Sequence, residues 1–266
     1  MPIINDNYKS DTNEIELWHA PMSSCSQRVR ILLNYHNIKF KNHVIKLDKG
    51  EHASKAFLKI NPEGLVPVIA DGSKLINESN DIIKYLDEKY GSSLLSSNIE
   101  KEKIVNFLKE IDNTQNSLKL CTFNFLFQST TRMNDQEYNF FKANHSNKNL
   151  VKFYSDFNNG FDHKKIVNAV NYTKSFFDMV ENQINFKSNS IFQNGFSLAD
   201  VSLIPNVHRF SLMGWPFIKY PKIYTWYKMI REKKWFVKAI VEWEPPNLIS
   251  SFKNYVNNST SISSFL

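Results

Sequence analysis

The sequence lacks the cysteine patterns and the metal-binding motifs that would point to a metalloprotein or a disulfide-rich protein. Its 266 residues include two cysteines, Cys25 and Cys121, which lie 96 positions apart. Such sparse usage argues against a disulfide scaffold or a zinc site and is typical of a reducing compartment, so we expect a cytoplasmic protein. The seven histidines form no His-Glu-x-x-His pattern, and no Cys-x-x-Cys pair or glycine-rich phosphate loop is present. We therefore expect no metal.

Long hydrophobic runs are also lacking. The most apolar stretch, residues 121–127, is interrupted and far shorter than the ~20 residues of a membrane-spanning helix. The first 20 residues hold four acidic residues and no apolar segment, so we expect neither a secretory signal nor a membrane partner. Hydrophobic residues make up 42% of the chain, which suffices for one large domain or two smaller ones and excludes disorder as the main state.

The positive charge is confined to one part of the chain. The net charge is +7, yet residues 1–91 hold twelve basic and twelve acidic residues, so residues 92–266 carry the whole excess. Residues 217–240 hold seven Lys or Arg against one acid, with Tyr224, Trp226 and Trp235 interleaved. This pattern is typical of an amphipathic helix with a solvated lysine face, which we favour over a nucleic-acid surface. We therefore expect no nucleic-acid partner.

The periodicity of apolar residues divides the chain into an α/β part and an all-helical part. The first part has the order β-α-β-α-β-β-α, with strands predicted at 14–19, 40–47, 65–70 and 74–77 and helices at 24–37, 52–58 and 79–90. Further helices are predicted at 100–120, 134–157 with breaks, 164–184 and 221–240, and a capping box at 197–200 predicts the start of a buried helix. The predicted segments are a flexible arm (1–13), an α/β domain (14–91), a linker (92–98), an all-helical domain (99–244) and an extended tail (245–266).

A Ser-Ser-Cys turn stands at the start of the first predicted helix. Ser23, Ser24 and Cys25 would lie where unpaired N–H groups and the positive end of the helix dipole favour a thiolate over a thiol. A serine in this position is, taken alone, most often an N-cap and nothing more. The turn therefore predicts a thiol site only in combination with other motifs.

Those other motifs are present, in an order similar to that of the glutathione S-transferases. Residues 23–31, S-S-C-S-Q-R-V-R-I, resemble the signature of the zeta class, the maleylacetoacetate isomerases. The Asn61-Pro62 to Val66-Pro67 run, the Glu78-Ser79 pair and the segment from Ser197 to Asp200 with Pro205 resemble further elements of the family. The resemblance implies a thioredoxin-like N-terminal domain followed by a helical bundle domain, with glutathione as co-substrate.

The resemblance also implies which residues hold glutathione. Val66 would precede a cis proline, Pro67, and offer its backbone N–H and C=O to the cysteinyl part of the ligand. Glu78 and Ser79, at a helix start, would hold the γ-glutamyl group. His52 replaces a glutamine that contacts the glycyl end in the family.

The same resemblance implies catalytic roles for the Ser-Ser-Cys turn. Ser23 or Ser24 would donate a hydrogen bond to the glutathione sulfur, and the choice between them is open. Cys25 is either a small packed residue, as in zeta-like enzymes, or a nucleophile.

The second half departs from the zeta class. Leu212, with Arg209 nearby, stands where that class has an arginine that helps hold a dicarboxylate substrate, which puts maleylacetoacetate isomerisation in doubt. The long segment between Leu120 and Lys164 and the pattern M-S-x-C-S at 22–26 are similar to tetrachlorohydroquinone reductive dehalogenases and bacterial β-etherases, glutathione-dependent relatives.

We therefore predict a glutathione transferase that activates the glutathione thiolate for attack on a small apolar or aromatic electrophile, as in detoxification. Aromatic residues of the second half would line the electrophile pocket between the domains, while most of them pack in the core. The candidates are Phe123, Phe125, Phe127, Phe140, Phe141, Tyr154 and Trp215. Two alternatives are a thiol-transfer enzyme that uses Cys25 and a non-catalytic binding module of the same fold. The resemblance implies a homodimer.

Overall fold

The computed structural model describes residues 3–5, 7–91, 94–95, 98–129, 132–185, 187–258 and 261–266. The chain divides into two compact units. The first consists of Met1–Tyr90 and Thr131–Gly160, and the second of Gly91–Thr130 and Phe161–Leu266. The first unit is thus assembled from two separate stretches of sequence.

The first unit contains a mixed five-stranded sheet in its described residues, with strand order β1-β5-β4-β2-β3. Strands β2 and β3 are parallel, and the other neighbours are antiparallel. The elements from residues 1–90 are β1 Ile3–Asn5, β2 Ile15–His19, α1 Ser24–Tyr35, β3 Phe40–Val44, α2 Lys55–Ile60, β4 Val68–Asp71, β5 Lys74–Ile76 and α3 Ser79–Tyr90. The predicted thioredoxin-like order is confirmed, with β1 added to it.

The strand register brings the predicted glutathione-binding motifs to one edge of the sheet. Trp18 in β2 pairs with Val68 in β4, and Ile69 in β4 pairs with Ile76 in β5. Both pairings are antiparallel, so β2 and β5 end at the edge where β4 begins. The turn after β2, the Val66–Pro67 peptide before β4 and the Glu78–Ser79 pair after β5 all leave the sheet at this edge.

Helix α1 forms as the sequence predicts because its apolar residues recur at helical spacing. Val29, Leu32 and Leu33 are fully buried, and Ser23 caps the N-terminus. In α3, the predicted inward residues Ile82, Ile83 and Leu86 are likewise fully buried. The two helices pack against each other, which fixes the N-terminus of α1 relative to that of α3.

Two helices of the segment 131–160 complete the first unit. They are α6, Asp135–Asn144, and α7, Lys148–Asn159, in the region predicted as helical with breaks. A capping box of Asn134 and Glu137 starts α6. The sequence pattern places these residues in the helical domain, whereas the structure groups them with the α/β part.

The second unit is helical in its described residues. Its α-helices are α4 Asn98–Asn113, α5 Gln115–Phe125, α8 His163–Gln183, α9 Leu198–Leu212, α10 Pro221–Arg231, α11 Lys234–Ala239 and α12 Pro246–Asn258. The predicted capping box at the start of α9 is confirmed. None of the helices in the described residues combines the length and apolar content needed to span a bilayer.

Two helices predicted as continuous are divided in the structure. The predicted helix 100–120 breaks at Thr114, whose hydroxyl donates to the Ile111 carbonyl (2.7 Å) and accepts from the Asn206 side chain (2.9 Å). A threonine hydroxyl that bonds a nearby backbone carbonyl competes with the helical ladder. The predicted helix 221–240 is likewise divided into α10 and α11, although the buried Trp226 and Phe236 and the exposed lysines follow the predicted amphipathic pattern.

The two chain ends contain more regular structure than the sequence indicated. Strand β1 lies in the segment predicted as a flexible arm, and it pairs with β5 through Ile3 and Ile76. Helix α12 occupies the predicted extended tail; it begins with Pro246 at its first position, and its Phe252 is buried. These residues of the predicted arm and tail thus contain a strand and a helix that the sequence pattern does not predict.

Four serines of the predicted linker (92, 93, 96 and 97) lie outside the described residues. The two leucines between them, Leu94 and Leu95, are buried, and helix α4 begins at Asn98. The domain boundaries drawn from the sequence stay a prediction.

Candidate functional site

Ser23 caps helix α1 through its oxygen and keeps a hydroxyl proton that it can donate. Its Oγ accepts the backbone N–H of Ser26 at 3.2 Å, which caps α1. Within the described residues no hydrogen bond uses the Ser23 hydroxyl proton, and the residue is partly exposed. A serine hydroxyl can accept and donate at once. The geometry therefore leaves one O–H donor at the N-terminus of α1.

The two cysteines have different surroundings. Cys25, the second residue of α1, is partly exposed, whereas Cys121 in α5 is fully buried. Burial raises the pKa of the Cys121 thiol to about 12. Cys121 is thus a neutral packed thiol, whereas the Cys25 thiol is accessible enough to react. Ser24, the first residue of α1, is also partly exposed.

The peptide bond between Val66 and Pro67 is cis, as the resemblance implied. Pro67 is buried and Val66 is partly exposed. No hydrogen bond within the described residues engages the N–H or C=O of Val66. Both groups are thus available to a main-chain ligand, the arrangement that pairs with an extended peptide.

Glu78 and Ser79 begin α3 in an unusual backbone conformation. Glu78 has φ 62°, in the left-handed region that non-glycine residues seldom occupy. Its carbonyl accepts the N–H groups of Asp81 (2.9 Å) and Ile82 (2.8 Å) and so opens the helix. Its side chain is exposed, while Ser79 is buried. The exposed Glu78 carboxylate therefore lies beside the N-terminus of α3.

Two buried arginines that are not among the predicted site residues support these segments. Arg28 donates to Ser79 Oγ at 3.1 Å, which ties α1 to the start of α3. Arg30 donates to the carbonyls of Ala20 (3.2 Å) and Pro21 (2.8 Å), which fixes the turn before Ser23. Both belong to the R-V-R part of the motif that the sequence displays. Charged residues are rarely fully buried unless they are paired. The place of these two arginines on a buried helix could therefore have indicated that they hold neighbouring segments.

His52 lies in a short 3₁₀ turn, Glu51–Ala53, and its side chain is packed inside the first unit. It is 1% exposed, and its ring lies 4.9 Å from Phe141, 5.2 Å from His145 and 6.2 Å from Tyr154, measured between centroids. A side-chain contact to the glycyl end of glutathione would require His52 to leave this packing. The assignment stays a prediction.

In the second unit, Arg209 is buried within α9. Its guanidinium carbon lies 5.7 Å from the centre of the Phe127 ring, and burial lowers its pKa to about 10. Leu212 ends the helix. Arg209 thus packs against an aromatic ring and does not present an exposed cation for a dicarboxylate.

The aromatic candidates fall into both units. Phe125 and Trp215 are buried in the second unit, and Phe141 and Tyr154 are buried in the first, where Phe140 is 46% exposed. Phe123 and Phe127, both partly exposed, form a ring pair in the second unit with centroids 5.2 Å apart. Most of the seven therefore pack in cores, as expected.

In the part of the chain that the structure describes, no three His, Cys, Asp or Glu side chains come together as a metal site requires. A shallow surface depression is lined by Tyr224, Tyr227, Lys228, Arg231 and Glu232, all in or next to α10. None of the predicted site residues lines it.

Comparisons with known proteins agree with this geometry. The family model for the glutathione S-transferase N-terminal domain matches residues 17–94. Glutathione S-transferase 1 of Dianthus caryophyllus is 40% identical over 96 residues, which cover 36% of this chain and 43% of that protein. Glutathione S-transferase Z2 of Arabidopsis thaliana is 28% identical over 251 residues, 92% of this chain and 97% of that protein.

Among solved structures, the β-etherase LigF of Sphingobium sp. strain SYK-6 superposes with a TM-score of 0.76. It is 20% identical, and the match covers 85% of this chain and 98% of the β-etherase. At this identity the likeness shows the fold alone. Residues 17–94 thus match the glutathione S-transferase N-terminal domain, and most of the chain is similar in sequence and in fold to proteins of the glutathione S-transferase superfamily.

Proposed function

We propose that the protein conjugates glutathione to a small apolar or aromatic electrophile. The observation that carries the proposal is the Ser23 hydroxyl, whose oxygen caps α1 while its proton has no partner within the described residues. The turn that holds Ser23 leaves the sheet at the same edge as the unpaired Val66 backbone and the Glu78–Ser79 pair. These three segments supply complementary groups for a thiol, a peptide backbone and an amino-acid head group.

In the proposed mechanism the ligand is held along its backbone and activated at its sulfur. The Val66 N–H and C=O pair with the cysteinyl residue of glutathione. The Glu78 carboxylate accepts the ligand's ammonium group, and the start of α3 at Ser79 receives its α-carboxylate. His52 is assigned to the glycyl end, which it could reach only by leaving its packing.

The thiol step needs a group that favours the thiolate. A thiol of ordinary pKa, about 8.5, is only a few per cent ionised at neutral pH. The Ser23 O–H, with the positive end of the α1 dipole, favours the thiolate and so lowers the pKa of the bound thiol. The thiolate then forms a bond to the electrophilic carbon as the leaving group departs with its electron pair.

Substitution of Ser23 tests this role. In Ser23→Ala we expect kcat/KM for conjugation to chlorodinitrobenzene to fall about 10- to 100-fold, because a charge-assisted hydrogen bond is worth about 1.5–3 kcal/mol. The pKa read from the pH dependence of kcat should rise toward that of free thiol. Ser23→Thr, which keeps both the cap and the hydroxyl, is the matched control. An alanine variant with wild-type rate and pH profile contradicts the assignment, and Ser24→Ala is then the next variant.

A second candidate, glutathione-dependent thiol transfer, has its own supporting observation. Cys25 is partly exposed two residues after Ser23. Its thiolate could attack the sulfur of a glutathionyl conjugate and form a mixed disulfide, while the carbon–sulfur bond of the conjugate breaks and the substrate carbon leaves with the electron pair and takes up a proton. Free glutathione would then attack that disulfide, release glutathione disulfide and regenerate the Cys25 thiol.

Cys25→Ser separates the two candidates. Simple conjugation should proceed within about twofold of wild type, because no step in it uses this thiol. Turnover that passes through a Cys25 mixed disulfide should be abolished. Cys121→Ser, at the buried thiol, is the control for the loss of a cysteine as such.

The location and assembly of the protein belong to the same proposal. We propose a cytoplasmic homodimer that acts without a metal, in keeping with sparse cysteine and with the family. Sedimentation of the purified protein at micromolar concentration tests the dimer, and a monomer at all concentrations would contradict it.

A further inference from the structure

The segment 131–160 contacts the loop that carries the cis proline. Ser146 Oγ donates to the carbonyl of Pro62 at 2.7 Å, and the imidazole Nε2 of His145 lies 3.4 Å from the carbonyl of Gly64. Both residues sit between α6 and α7, more than 80 positions away along the chain. The loop from Asn61 to Val66 is therefore held by residues distant in sequence.

The hydrogen bonds of His145 define its protonation. The backbone N–H of Asn147 donates to His145 Nδ1 at 3.0 Å, so Nδ1 is an acceptor and the ring proton lies on Nε2. Nε2 is consequently the donor toward the Gly64 carbonyl. The ring is 1% exposed, so this bond is shielded from water.

The His145 imidazole packs directly against Gly64. A Cβ at this position would collide with His145 Nε2 and would lie 2.9 Å from the His52 carbonyl. The His145 ring thus fills the space that a side chain at position 64 would need. Gly64 also has φ 64°, which a glycine adopts without strain.

Two carbonyls that no bond within the loop engages are held from outside it. Asn61, 1% exposed, donates from its side chain to the Leu65 carbonyl (2.8 Å) and accepts the Glu63 N–H (3.1 Å). In the described residues, the hydrogen bonds to the carbonyls of Pro62 and Gly64 come from Ser146 and His145. Leu65 connects Gly64 to Val66, which precedes the cis peptide bond.

We propose that His145 and Ser146 are positioning residues for glutathione. They hold loop 61–66 in the one conformation that presents the Val66 N–H and C=O to the ligand. This inference rests on the proposed function and deepens it, since it assigns a binding role to a segment outside residues 1–90. A loop released from these two bonds must be ordered again when the ligand binds, which weakens affinity.

Calorimetric titration of the whole protein with glutathione tests the role. We expect Kd to rise about fivefold in His145→Ala and in Ser146→Ala, since each loses a hydrogen bond of about 1 kcal/mol. At saturating glutathione kcat should stay within about twofold of wild type. His145→Gln, which keeps a donor, should restore most of the affinity. The control is Glu137→Gln, which removes the exposed Lys49–Glu137 ion pair of the same segment but keeps its capping box.

Hydrogen exchange gives a readout that does not depend on catalysis. Amides of loop 61–66 should exchange faster in His145→Ala, even if that variant is less stable overall, because the loss is local. Wild-type glutathione affinity in both alanine variants would overturn the positioning role alone. A wild-type protein that binds no glutathione would overturn the proposed function, and the positioning role with it.

Discussion

Glu78 is a residue whose backbone is strained at the place where the ligand's head group is proposed to bind. Its φ of 62° costs a non-glycine residue about 1–2 kcal/mol. Its carbonyl nevertheless accepts two amides that start α3, so the conformation is held by the helix itself. The sequence offered no sign of this strain, because Glu-Ser before an apolar periodic run reads as an ordinary helix start.

The strain at Glu78 predicts opposite effects on stability and binding. In Glu78→Gly we expect the free energy of unfolding to rise by up to about 1 kcal/mol, because glycine adopts a positive φ without a Cβ penalty. Glutathione affinity should fall at least tenfold, since the carboxylate is lost. Urea unfolding and calorimetric titration measure the two. Asn189→Gly, at another positive φ of 50°, should leave binding unchanged. A less stable glycine variant contradicts the strain argument.

His19 links stability to pH. It is fully buried, its Nδ1 lies 3.0 Å from an Arg30 nitrogen, and burial together with that charge lowers its pKa to about 3. The unfolded chain, with a histidine pKa near 6.5, binds more protons between these values. The stability contributed by neutral His19 is therefore complete above pH 6.5 and falls as the pH drops toward 3.

Thermal unfolding between pH 4.5 and 7.5 checks this linkage. Wild-type Tm should fall as the pH drops below 6.5, and His19→Gln, which can accept the Arg30 bond without titrating, should fall less steeply. His163→Gln, at the first position of α8, serves as the control substitution. If the slope of Tm against pH is equal in wild type and His19→Gln, groups other than His19 set the pH dependence of stability.

At the scale of elements, the capping box of α9 predicts its local hydrogen bonds but not its distant ones. The Ser197–Asp200 capping box is visible in the sequence, and Asp200 Oδ2 does accept the Ser197 N–H at 2.9 Å. The structure adds two distant donors to Oδ1, the Ile191 N–H (3.1 Å) and the Trp226 indole N–H (2.9 Å). The motif predicts the cap because its partners are three residues apart. It could not predict Ile191 and Trp226, whose spacing from Asp200 follows no helical or strand period.

Asp200→Asn should destabilise the fold. Burial raises the pKa of Asp200 to about 6, so above neutral pH the carboxylate is ionised and accepts all its donors. An amide offers one oxygen in place of two and leaves buried donors unpaired, which should cost about 3 kcal/mol. Asp162→Asn, at the exposed N-cap of α8, is the matched control and should cost little because asparagine caps equally well. Equal losses in urea unfolding would contradict the argument.

At the scale of the whole molecule, the first unit is discontinuous in sequence. Helices α6 and α7 belong with Met1–Tyr90, although forty residues of the second unit intervene. The sequence indicated a helical stretch with breaks at 134–157 but not its attachment, because a contact such as His145 to Gly64 leaves no periodic pattern. The class of each half and the order of β2 to β5 along the chain were predictable from local periodicity and motifs, whereas β1 was not.

The two units should therefore open independently in exchange experiments. Leu32→Ala, in α1, should speed amide exchange in α6 and α7, because a buried leucine is worth about 2–5 kcal/mol to the unit that contains it. Leu203→Ala, an equally buried leucine of α9, should speed exchange in the second unit instead. If α6 and α7 respond to Leu203→Ala and not to Leu32→Ala, the segment belongs energetically to the helical unit.

The fit of Gly64 against His145 has a practical consequence for protein engineering. A chimera joined after Tyr90, with the helical half taken from a glutathione S-transferase, would keep the motifs of residues 1–90 but lose the imidazole that occupies the space beside Gly64. Such a graft would leave a cavity and two carbonyls without their donors beside the cis proline. Recombination of this protein should therefore transfer residues 131–160 together with the N-terminal segment, as one module encoded in two pieces.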